Sequence, residues 1–132
     1  MKALAWILLG LMIGAFATLS VLNALRPATA FPKGVMALFG HHLGAARDQV
    51  TAGKCDADLA RHVEALAILS RDVRPAFLPI GEQDELFGDY ADKLQQAAES
   101  ARQTALTDCA EAGEALGRIG DSCKACHRDF KS

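Results

Sequence analysis

Two cysteines three positions apart, with a histidine directly after the second, constrain this chain more than any other feature. The run is Cys123-Lys124-Ala125-Cys126-His127, close to the end of a 132-residue sequence. On a helix, thiols at that spacing share one face. Each can add across one vinyl group of a porphyrin, and the imidazole that follows then lies under the iron as its proximal ligand. The pattern is that of one covalently attached haem c, with Cys123 and Cys126 as thioether anchors and His127 as iron ligand. Two other uses of paired cysteines fit less well. A thioredoxin-like pair opens a helix in a βαβ setting, and this one ends an alanine-rich helical stretch. A zinc site needs a second pair of ligands at finger spacing, and none follows.

The opposite end of the chain has a different character. From Ala3 to Leu25 it is almost wholly apolar, interrupted by Thr18, Ser20 and Asn23 and preceded by Lys2. As a helix rising ~1.5 Å per residue, such a run is about 34 Å long, enough to cross a bilayer. A secretory signal has a shorter apolar core of ~7–15 residues and a small-residue cleavage site. Ala28-Thr29-Ala30 is such a site, so two outcomes stand open. The length favours an uncleaved anchor; cleavage would leave a soluble protein. Residues 1–30 are therefore read as a signal-anchor or transmembrane segment and 31–132 as the haem domain. Lys2 on one side and Arg26 and Lys33 on the other do not set an orientation. Attachment of c-type haem takes place outside the bacterial cytoplasm, so the domain is expected in the periplasm, at the inner membrane.

After residue 30 the period-two alternation of strands is absent and helical spacing prevails. Pro27 and Pro32 are expected to interrupt any helix leaving the membrane. Four helices follow, over about 33–52 (stopped by Gly53), 56–74 (closed by Pro75), 82–105 and from 108 onward. The second has an apolar face of Leu59, Val63, Leu66, Ile68, Leu69 and Val73. The last places Ala112, Leu116, Ile119, Cys123, Cys126 and Phe130 on one stripe at spacings of three and four, which puts the haem cysteines on its buried face. Short connections make neighbours antiparallel, so the expected fold is all-α: an up-down-up-down four-helix bundle behind one N-terminal apolar helix. The net charge of −2 and isoelectric point near 6.0 provide no basic footprint for nucleic acid. No nucleophile and base stand out by spacing, so an enzyme is not expected. His62, between Arg61 and Val63 and near Glu64, has the setting of a surface residue.

The bundle topology also indicates where the iron's second axial ligand comes from. Cys123 lies about 22 Å along the last helix from its start. The same distance counted back along the antiparallel first helix of the bundle, from near Ala52, ends near Met36. His41 and His42 fall one to two turns short of it. A methionine there can equally be a gap-filling core residue.

The segment Gly120-Asp121-Ser122-Cys123-Lys124-Ala125-Cys126-His127-Arg128-Asp129-Phe130-Lys131 resembles the C-terminal haem site of the cytochrome c-prime family, the class II c-type cytochromes. The resemblance spans most of 33–132, sharp at the haem site and loose elsewhere, and leaves out the N-terminal segment. It implies an antiparallel four-helix bundle, in which homodimers are common. Two branches of that family differ at the iron. In one, a bulky apolar residue of the first helix leaves the iron five-coordinate and open to NO or CO, for sensing or detoxification. In the other, a methionine of that helix completes six-coordinate, low-spin iron, as in an electron carrier. Met36, four residues before Gly40, is similar to that methionine. The resemblance thus implies Met36 as distal ligand and a weak tuning role for Lys131 near His127. The expected function is electron carriage at the periplasmic face of the inner membrane. Its redox partner proteins would be membrane-bound respiratory complexes, since few residues separate Leu25 from Met36. Cys55 and Cys109 depart from the family pattern. Both begin helices at the bundle end away from the haem, and either a disulfide joins them or they are two separate thiols.

Overall fold

The computed structural model describes residues 2–24, 27–104 and 108–130, and among these all regular structure is helical. The elements are α1 (Lys2–Ala24), α2 (Pro27–Thr51), α3 (Ala57–Phe77), α4 (Asp84–Gln103) and α5 (Cys109–Phe130). The chain divides into two compact units, Met1–Phe31 and Pro32–Ser132. In the first, α1 exposes its apolar side chains along Trp6–Asn23, an 18-residue stretch of mean hydropathy 1.9 that is long and apolar enough to cross a membrane.

The second unit is a four-helix bundle. Its core draws on each helix at helical spacing: Val35, Phe39, Leu43 and Ala46 from α2; Leu59, Val63, Leu66 and Val73 from α3; Phe87, Ala91, Leu94 and Ala98 from α4; Ala112, Leu116 and Ile119 from α5. Fully burying a side chain the size of Leu59, Leu66, Leu116 or Ile119 contributes about 1.5–3 kcal/mol each. Alanines fill much of the rest, so the helices approach closely and the larger residues interlock. Two contacts set the register of α2 against α5. A Cβ on Gly113 would stand 3.5 Å from Val50, and the Arg47 guanidinium lies across Gly120, reaching the Leu116 carbonyl at 3.5 Å. Numbers falling on one helix meet numbers rising on the other, which carries Met36 towards the Cys126–His127 end of α5.

The helix ends follow from local chemistry. Gly53, at φ 68°, ends α2, with its own N–H and that of Lys54 bonded back to Val50 and Gln49. The Asp56 carboxylate accepts from Asp58 N at the start of α3, and Asp108 accepts from Ala110 N and Glu111 N at the start of α5. Asp84 accepts from Ile80 N and Gly81 N, closing the α3–α4 connection.

The prolines behave differently from expectation. Pro27 opens α2 instead of breaking it, because the first helical residue has no intrahelical partner for an N–H. Pro32 lies inside α2, where it forgoes a single bond near the helix start. Pro75 does not close α3 either; the helix continues to Phe77 and stops where Leu78, extended at ψ 144°, precedes Pro79. Within α3, Ile68 is 52% exposed, so it lies off the apolar face assigned to it, and the buried place next to Ala67 is taken by Ser70, whose hydroxyl donates to the Ala67 carbonyl.

Candidate haem-attachment site

At one end of the bundle the four helices leave a cavity of about 520 Å³, within the range of cofactor pockets. From α2 it receives Met36, Phe39, Gly40 and Leu43; from α3, Val73 and Phe77; from α4, Phe87, Tyr90, Ala91 and Leu94. From α5 come Cys123, Cys126, His127 and Phe130. The motif at the end of the sequence and the methionine near residue 36 thus line one apolar chamber. Met36 is half-buried and packed against the core. His127 is exposed in the last turn of α5.

Cys123 and Cys126 are unbridged and half-buried. Burial pushes both thiols above their ordinary range; the Arg47 charge opposes this at Cys123, and the Asp129 carboxylate adds to it at Cys126. A disulfide-exchanging pair needs the opposite, a thiol lowered towards neutral pH. Raised in this way and set in an apolar wall, the pair lacks the character of a disulfide exchanger and is well placed to anchor an apolar group.

His41 and His42 do not line the cavity. Nδ1 of His42 lies 2.9 Å from Nδ1 of His62, and His41 stacks edge-on against His42 at 5.2 Å between ring centres. His62 is therefore not the free surface residue its neighbours in sequence suggest: it is half-buried and pairs α3 with α2. Desolvation, then the nearby charges of His62 and His41, holds His42 below the usual histidine range. Among the described residues no group of three or more His, Cys, Asp or Glu side chains is arranged to hold a metal ion. Lys131 lies outside the described residues. Cys55 and Cys109 are brought together as a disulfide, 5.5 Å between Cα atoms, tying the start of α5 to the residue before the α3 cap.

An aromatic wall was not singled out in the sequence. Phe87 packs between Phe77 (5.5 Å) and Phe130 (5.3 Å, at 90°), and Tyr90 meets Phe130 edge-on at 6.0 Å. Its signal was present: Phe87, Tyr90, Ala91 and Leu94 recur at spacings of three and four along α4.

In sequence, this chain is similar to cytochrome c'. The family model described as Cytochrome C' matches residues 78–131, a stretch that includes Cys123, Cys126 and His127 but neither Met36 nor Cys55. The cytochrome c' of Pararhodospirillum photometricum is 29% identical over 91 residues, covering 58% of this chain and 72% of that protein. No solved structure matches the chain. One covalently attached haem c suits the donor set seen here: two neutral thiols on one helical face, an imidazole directly after them, a thioether across the chamber, and apolar walls between.

Proposed function

We propose that the chain is a c-type cytochrome carrying single electrons, with one haem c held covalently by Cys123 and Cys126. His127 and Met36 would hold its iron. The haem iron supplies the one-electron redox chemistry; the protein's part is to hold that group and set its surroundings. Phe39, Leu43, Phe87 and Leu94 exclude water from the chamber, and a dry site changes its solvation little when charge moves. A thioether ligand opposite a histidine raises the reduction potential, as suits a carrier. The observation that carries the reading is the convergence of Met36, from α2, on the chamber lined by both thiols and His127. The apolar Trp6–Asn23 stretch supports attachment to the inner membrane, with the bundle in the periplasm and membrane-bound respiratory complexes as redox partners.

The optical spectrum of the purified reduced protein, with and without CO, tests this. The carrier shows a low-spin spectrum that CO leaves unchanged, and Met36→Ala converts it to a high-spin spectrum that responds to CO at once. A wild-type spectrum that is already high-spin and CO-sensitive rejects Met36 as ligand. It would favour the second reading, a five-coordinate protein that binds NO or CO. That reading has its own support: Phe39, also on α2 and 3% exposed, lines the same chamber and is bulky enough to close the iron's distal face.

A further inference from the structure

Tyr90 is the one hydroxyl-bearing side chain lining the chamber among the described residues. Its ring belongs to the aromatic wall, and its hydroxyl donates to Asp129 Oδ2 at 2.5 Å, a short bond of the kind a carboxylate makes. Asp129 lies two residues beyond His127 in the last turn of α5, so this bond fastens the turn to the middle of α4. The competing partner for the carboxylate is Arg128, whose Nε stands 3.6 Å from Oδ1, too far for a hydrogen bond and largely exposed. Lys93 lies 5.7 Å over the Tyr90 ring. Among the described residues, Asp129 therefore owes its placement to Tyr90 more than to a cation. Its charge lies beside the attachment site: Oδ2 is 2.5 Å from the hydroxyl of a residue that lines the chamber, in the same last turn of α5 as His127.

We infer that Tyr90 is a positioning residue: its hydroxyl holds the Asp129 carboxylate against the haem-attachment turn, and that fixed negative charge lowers the reduction potential of the bound haem. The inference rests on the c-type cytochrome reading and applies to either ligation state. A negative charge near the iron favours the ferric form, which carries one more positive charge than the ferrous form. Half-exposure of Asp129 weakens the effect through solvent and salt, which makes its fixed position matter more. Freed from Tyr90, the carboxylate can swing to Arg128 and water, and its field at the site declines.

Redox titration of the full haem-loaded chain, followed by its optical spectrum, tests the inference. Asp129→Asn raises the midpoint potential. Tyr90→Phe keeps the ring against Phe130 and raises the potential in the same direction by less. Combined, the two substitutions give the potential of Asp129→Asn alone. An unmoved potential in Tyr90→Phe overturns the inference, and so does a Tyr90→Phe shift that persists in full when Asp129 is already Asn. If all chains titrate reversibly with one potential, this inference fails alone. If no chain carries a titratable haem, the reading beneath it fails as well.

Discussion

At Cys123 and Cys126 the chemistry depends on three adjacent side chains and very little on the rest of the bundle. Burial pushes both thiols above their ordinary range, and their half-buried positions face one chamber. Either one can form a thioether without the other. Single substitutions Cys123→Ala and Cys126→Ala are therefore expected to retain a haem that stays with the chain through denaturing electrophoresis, by its remaining link. The double substitution should lose it entirely, while His127 alone holds haem only until denaturation. Haem staining of the gel, with the mass of each chain, checks this; a haem adduct on the double variant would place the attachment elsewhere. These residues were singled out in the sequence because their spacing is itself the chemistry, and the structure sets all three on one chamber. Met36 needed the added premise of antiparallel packing; because helical rise is constant, the count ends on a residue that lines the same chamber as the thiols, and its ligation of iron is part of the proposal. His62 was not legible, since its partner His42 lies twenty residues away and only the docking of α3 on α2 joins them.

Among the elements, four bundle helices could be counted from periodicity, but their ends were misjudged wherever proline was taken as a stop. Pro27, Pro32 and Pro75 all lie within a turn or two of a helix end, where few backbone bonds are at stake, so packing of the apolar face prevails over the lost bond. Capping carboxylates mark the true starts. Asp108 accepts two backbone N–H groups at the beginning of α5, and Asp108→Ala should cost about 1 kcal/mol, read as a lower urea midpoint at unchanged slope. Between α3 and α4, Glu99 accepts from Arg71 and Arg74 pairs with Asp92; within α4, Glu99 also accepts from Arg102. The Arg71 hydrogen bond foremost, with Arg102, holds the Glu99 carboxyl below its ordinary value of 4.5. A carboxyl depressed on folding stabilises the fold above its unfolded pKa, and that contribution disappears as pH falls through the folded value. Glu99→Gln should therefore lower the melting temperature slightly at neutral pH, where the exposed and screened pair contributes little, and flatten its fall below about pH 4.5, where the wild type loses that same contribution. An identical acid limb in the variant would show that Glu99 has no part in it.

For the whole molecule, the bundle is organised from both ends. The chamber occupies the Cys123–His127 end of α5, and the Cys55–Cys109 disulfide closes the other, about 21 Å away along that helix. Sequence left this pair open because a disulfide depends on the distance between two loops, and loop geometry follows from the packing of all four helices. With the two cysteines 54 positions apart in sequence, the chain-entropy account gives a stabilisation of about 4 kcal/mol, acting on the unfolded chain. A cross-link that acts there need not be felt at the haem. Cys55→Ser with Cys109→Ser is therefore expected to lower the stability of the haem-loaded protein by several kcal/mol in urea, while its reduced spectrum and midpoint potential stay as they were. The two readouts separate two roles. A stability loss with unaltered spectrum assigns the bridge to the fold alone. A changed spectrum would mean that strain passes down α5 to the His127 turn, so that the two ends of the bundle do not act independently.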